Sequence, residues 1–76
     1  MEELKPGGIY QHYKGNFYVI IGLAHHSETL EPLVVYMGLY DSEEFGKNPL
    51  WVRPLSLFTD RVQWKGQKVP RFNFIR

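Results

Sequence analysis

The chain has no cysteine, a single alanine (Ala24) and no apolar run approaching the ~18 residues of a membrane span. The first absence excludes disulfides and any cysteine-based zinc site, so stability must come from apolar packing. The second, set against six valines and four isoleucines, favours pleated sheet over helix. Length is short as well: 76 residues make one domain with one core and leave no room for a two-domain enzyme. A chain of this size buries only about 60% of its unfolded surface. The opening Met1-Glu2-Glu3-Leu4-Lys5 lacks the apolar stretch of a secretory signal, and Asn16, Asn48 and Asn73 start no glycosylation sequon. These absences lead us to expect a cytoplasmic protein with no membrane partner. Acid is missing from residues 61–76, which carry five basic groups, whereas residues 1–60 hold all eight acids and four bases. That asymmetry marks either an anion-binding tail or a solvated face.

What the chain does have is aromatic: 5 Tyr, 5 Phe and 2 Trp, each able to bury about 150–250 Å². Prolines and glycines cut it into short pieces that leave no space for a long helix. Residues 8–14 and 17–24 flank Gly15-Asn16 as a hairpin, and a two-residue loop would set Gln11 opposite Ile20 and Tyr13 opposite Tyr18. Pro32 opens an apolar strand over Leu33–Tyr40, expected at the centre of the sheet. Asp41-Ser42-Glu43-Glu44-Phe45-Gly46 reads as a capped single helical turn. Leu50–Arg53 forms a strand stopped by Pro54, and Leu55–Phe58 one tight turn that tucks Leu55 and Phe58 inward. A second hairpin joins Val62–Trp64 to Lys68–Val69, with an alternating segment behind Pro70. The expected fold is all-β: a single domain over residues 1–76, a small SH3-like barrel of five to six short strands with one or two helical turns, and residues 1–7 as a loose N-terminal segment.

Four motifs stand in order along this framework: His12-Tyr13-Lys14-Gly15-Asn16, His26-Ser27-Glu28-Thr29, Leu50-Trp51-Val52-Arg53-Pro54 and Pro70-Arg71-Phe72. Together they resemble a small bacterial family catalogued as a domain of unknown function, and the resemblance runs from about Gly8 to Phe72. It implies an autonomous bacterial domain and carries over no activity, cofactor or ligand. The connection Ser42–Pro49 is longer here than the family pattern.

The densest polar cluster is His25-His26-Ser27-Glu28-Thr29. Neighbouring residues of an extended segment point to opposite faces, so His25 and His26 do not readily share one metal ion. A turn in which Ser27 and Thr29 bond backbone, with Glu28 paired to Arg53 or Arg71, is the simpler reading. Ser27 lacks a Gly-x-Ser-x-Gly elbow, and the isolated glycines form no phosphate loop. No cofactor and no metal are expected. The strand-borne rings are too many to be buried with every polar handle satisfied, which suggests a binding face.

We therefore expect a non-catalytic interaction module. Its face would be built from His12, Lys14, Tyr18, His26, Glu28, Tyr36, Trp51, Arg53 and Arg71, and its partner would be a protein or peptide. Single-stranded nucleic acid is the alternative, through the basic segment 61–76 and interleaved aromatics. A small metal-assisted or acid–base enzyme centred on His12, His26 and Glu28 is a further one, and requires those side chains to converge. The chain is expected to be a monomer or a weak homodimer, the latter if an edge strand at Leu33–Tyr40 or Ile75 pairs with a second copy.

Overall fold

The computed structural model describes residues 4–76. Short strands dominate: β1 (Ile9–His12), β2 (Phe17–His25), β3 (Pro32–Gly38), β4 (Asp41–Ser42), β5 (Gly46–Lys47) and β6 (Leu50–Pro54), then the helical turn α1 (Leu55–Phe58), then β7 (Arg61–Trp64), β8 (Gln67–Pro70) and β9 (Phe72–Phe74). Five of them form one antiparallel sheet in the order β6-β3-β2-β1-β9, while β4-β5 and β7-β8 are separate two-stranded hairpins. The all-β expectation holds, but β6 and β9 remain the edges of an open sheet, so the barrel does not close. β2 rather than β3 is central. β3 is paired on both sides, so it offers no edge to a second copy.

The period-two alternation of strands sorts the sheet into two faces. On the front, Tyr10 lies opposite Tyr18 and Tyr18 opposite Gly38; Ile20 lies opposite Tyr36 and Tyr36 opposite Trp51; Val34 faces Arg53 and His12 faces Phe72. The core is built there from Tyr10, Ile20, Val34, Tyr36, Phe58 and Phe72. Phe58, carried in by α1, stacks on Phe72 with centroids 4.1 Å apart, and Tyr10 and Tyr36 meet it edge-on at 5.4 and 5.3 Å. The back face carries Ile9, Val19, Met37 and Leu50 in one row across four strands, with Val35 opposite Val52 beside it. No charged side chain interrupts those positions.

The first hairpin departs from the expected register. Gln11 pairs with Phe17 instead of Ile20, a shift of three residues. The turn is larger than Gly15-Asn16 because backbone and side chain close it together: His12 N–H donates to Asn16 O at 2.8 Å, Gly15 N–H donates to His12 O, and Lys14 N–H donates to His12 Nδ1. The odd shift puts Tyr10, not Tyr13, on the same face as Tyr18. A bulge at Ile21 then bends β2, since Ile20 pairs with Tyr36 but Gly22 with Val35.

Asp41–Lys47 is likewise a hairpin and not a helical turn. Ser42 behaves as a cap, with Oγ accepting from Glu44 N–H and Phe45 N–H at 3.2 and 3.0 Å, but Gly46 at φ +85° turns the chain back into β5. Of the segment expected to be loose, residues 1–3 lie outside the described residues. Leu4 packs on the core, and Gly7 N–H donates to Ile20 O.

Candidate functional site: a cationic and aromatic face

Arg53 leaves β6 on the front face, and its position follows from three elements. Its Nε donates to the Tyr36 hydroxyl from β3 at 3.3 Å, its Nη1 donates to the Leu57 carbonyl of α1 at 3.4 Å, and the guanidinium lies 5.7 Å from the centre of the Phe72 ring from β9. Among the described residues no carboxylate pairs with it. The acid nearest in function, Asp60, is taken by Arg71, whose Nε and Nη2 grip Oδ1 and Oδ2 at 2.7 and 3.1 Å. The Arg71 hydrogen bond holds the Asp60 carboxyl below the usual carboxylate range, with burial opposing and the Arg53 charge adding to the fall.

His12, at the end of β1, lies against Tyr13 at 4.5 Å and edge-on to Phe72 at 5.0 Å. Burial lowers its pKa first, and the charges of Arg53, Arg71 and Lys14 lower it further. Both effects favour the neutral ring. Three cations acting on one imidazole define a region of positive potential, and Asp60, the acid paired there among the described residues, is already taken by Arg71.

The aromatic frame settles its own polar groups. Trp51 Nε1–H donates to the Tyr40 hydroxyl at 3.1 Å, and the Tyr18 and Tyr40 hydroxyls share a hydrogen bond of 3.4 Å. Burial raises the Tyr18 pKa and the bond to Tyr40 raises it further. With Arg53 on the Tyr36 hydroxyl, the polar handles of Tyr18, Tyr36, Tyr40 and Trp51 are met within this cluster. Tyr18, Tyr36 and Trp51 are core and rim that support Arg53. The longer 42–49 connection contributes here too, setting Phe45 edge-on against Trp51 at 5.3 Å.

The sequence-predicted residues thus divide. His12, Tyr18, Tyr36, Trp51, Arg53 and Arg71 come together on the front, with exposed Lys14 at the border, its Nζ 5.8 Å from the Tyr13 ring. His26 and Glu28 do not join them. They sit in the β2–β3 turn, beyond the other end of β2 and roughly 25 Å from His12 at ~3.3 Å per residue. There His26 Nδ1 accepts from Glu28 N–H and Thr29 N–H, and Thr29 Oγ1 accepts from Glu31 N–H. Glu28 pairs with neither arginine; Asp60 does that for Arg71. The convergence required of His12, His26 and Glu28 is absent, and no group of three His, Asp or Glu side chains among the described residues is placed to hold a metal ion.

Sequence reading missed Asp60, the hydrogen bonds that tie Tyr40 to Tyr18 and Trp51, and the meeting of Tyr13 with Trp64, whose rings stand 5.1 Å apart at 73°. The last pair closes one side of a groove of about 380 Å³ between the β1–β2 turn and the β7–β8 hairpin, lined also by His12, Val69, Pro70 and Asn73. The alternation of Trp64 with lysines was the available signal. What the spacing did not show is that the hairpin folds onto the β1–β2 turn.

Fold and face define a small all-β domain with an open five-stranded sheet and a cationic, aromatic front. The chain belongs to the family described as "Protein of unknown function (DUF1653)", whose sequence profile matches residues 8–74. It is similar to a protein of the same family from Bordetella bronchiseptica, known from a crystal structure: 36% identity, a TM-score of 0.82, and coverage of 99% of this chain and 91% of that one. No curated protein matches the chain. No helix among the described residues is long and apolar enough to cross a membrane.

Proposed function

We propose that this domain is a non-catalytic interaction module, cytoplasmic, that binds a protein or peptide partner through the front face, with Arg53 taking a carboxylate of that partner. One observation carries the reading. Arg53 is held in place by Tyr36, Leu57 and Phe72 yet has no carboxylate among the described residues. A guanidinium presents five donors, and two are used here, which leaves a fork free for a planar acid. Orienting it beforehand lowers the ordering entropy that binding would otherwise have to overcome. The His12 ring, packed on Phe72, and the Phe72 ring itself offer an aromatic flank for the residue that bears the acid.

Selection from a random octapeptide library, prepared both with free C-terminal carboxylates and as C-terminal amides, tests this. The expected result is enrichment of free acids or of Asp- and Glu-bearing peptides, lost in Arg53→Met while its melting curve stays within a few degrees. Enrichment with no preference for a carboxylate, terminal or side-chain, or enrichment that survives Arg53→Met, would overturn it.

A further inference from the structure

We propose that the groove between the β1–β2 turn and the β7–β8 hairpin binds single-stranded nucleic acid, with the Tyr13–Trp64 corner receiving a base and Lys14 and Lys65 meeting phosphates. This site lies beyond the peptide reading and stands on other residues. Trp64 ends β7 just before Lys65-Gly66, where both residues have positive φ (50° and 81°), a tight turn that projects the hairpin tip past the sheet. Tyr13 meets Trp64 edge-on at 5.1 Å, so the two rings make a corner and not a closed stack, and Trp64 keeps 38% of its surface exposed. A core role does not account for that exposure.

Charge is arranged around the same corner. Lys65 Nζ lies 5.5 Å from the centre of the Trp64 ring and Lys14 Nζ 5.8 Å from that of Tyr13, one cation beside each ring. Arg61 and Lys68 alternate onto the other face of the hairpin from Trp64 and add only to its overall positive charge, and the hairpin carries no acid. Flat π surfaces alternating with cations suit a chain of bases and phosphates, because each base has a face to stack whatever its identity. An acidic peptide matches the cations but leaves the two rings without a counterpart, and duplex nucleic acid hides its base faces. The expected specificity is therefore for single strands with little sequence preference.

The test is fluorescence anisotropy of the full chain with a labelled uridine decamer. Two lysine–phosphate contacts predict a log–log salt slope near −1.4, so that affinity falls about sevenfold between about 50 and 200 mM salt. Trp64→Ala should weaken binding about tenfold, Trp64→Phe should restore most of it, and Lys14→Gln and Lys65→Gln should each reduce the slope to about −0.7. Melting curves of the variants should stay close to the parent, since both lysines lie on exposed turns and Trp64 sits at the end of the short strand β7, outside the core. Absence of binding at the lower salt would overturn the proposal. So would an unchanged affinity in a folded Trp64→Ala, or hexaglutamate competing as well as the decamer, which would make the groove a site for acidic peptide.

Discussion

At His12, burial, three neighbouring cations and an accepted hydrogen bond at Nδ1 all act against protonation. The folded pKa lies below the unfolded value of about 6.5, so the unfolded chain takes up the proton first. Stability from this residue is therefore full above pH ~6.5 and is lost as pH falls from there through the folded pKa. The melting temperature should drop between neutral and mildly acidic pH, and drop less in His12→Gln; parallel curves would show that the ring is not held neutral. Asp60 acts at lower pH, where protonation through its depressed pKa releases Arg71. Phe58 shows the other kind of residue effect. It is 1% exposed and stacked on Phe72, so Phe58→Ala should remove about 3–5 kcal/mol in urea unfolding. That is most of what a domain of this size holds.

Among the elements, β3 and the segment after it show how tightly the front is assembled. A Cβ on Gly38 would come within 2.6 Å of the Tyr40 ring, which lies where a side chain from β3 would go. Gly38→Ala should therefore push Tyr40 out, break the Tyr18–Tyr40–Trp51 hydrogen bonds and destabilise by about 1–3 kcal/mol. Gly22→Ala, in open space at the β2 bulge, is the control and should be near neutral; near-ultraviolet circular dichroism and melting read both. The same scale explains what sequence could and could not tell. The Pro32 start of β3, the Pro54 stop of β6 and the α1 turn with Phe58 tucked inward were legible, because proline geometry and local apolar spacing fix them. The first hairpin was not. Its register depends on His12 bonding to Lys14 N–H and on which tyrosines the core accepts, and neither is local information. Asp41–Gly46 misled for a related reason: Ser42 caps a turn in either outcome, and only the pairing of Asp41 with Lys47 decides for a hairpin. For the candidate site, grouping His12 with Arg53 and Arg71 was legible from the ordered motifs, whereas His26 and Glu28 were misplaced because residues close in sequence to β2 were assumed to reach its other end.

For the molecule as a whole, the sheet separates two unlike surfaces. The front holds the core and the cations; the back row of Ile9, Val19, Met37 and Leu50, with Val35 and Val52 beside it, is apolar, and Leu50 and Val52 are 66% and 63% exposed. A substitution such as Val52→Lys should change stability by no more than about 0.5 kcal/mol by thermal melting and leave front-face binding intact. A loss comparable to Phe58→Ala would mean that the back is a core face. The central claim, that Arg53 is an oriented carboxylate receptor, is tested most directly by two-dimensional NMR of the labelled chain titrated with phenylacetate and, separately, with phenylacetamide. The account predicts shifts at the Arg53 Nε–H and at the amides of Leu57, Phe72 and His12 with the acid alone. Equal shifts with the amide, shifts confined to Val35, Leu50 and Val52, or no shift with either compound would contradict it.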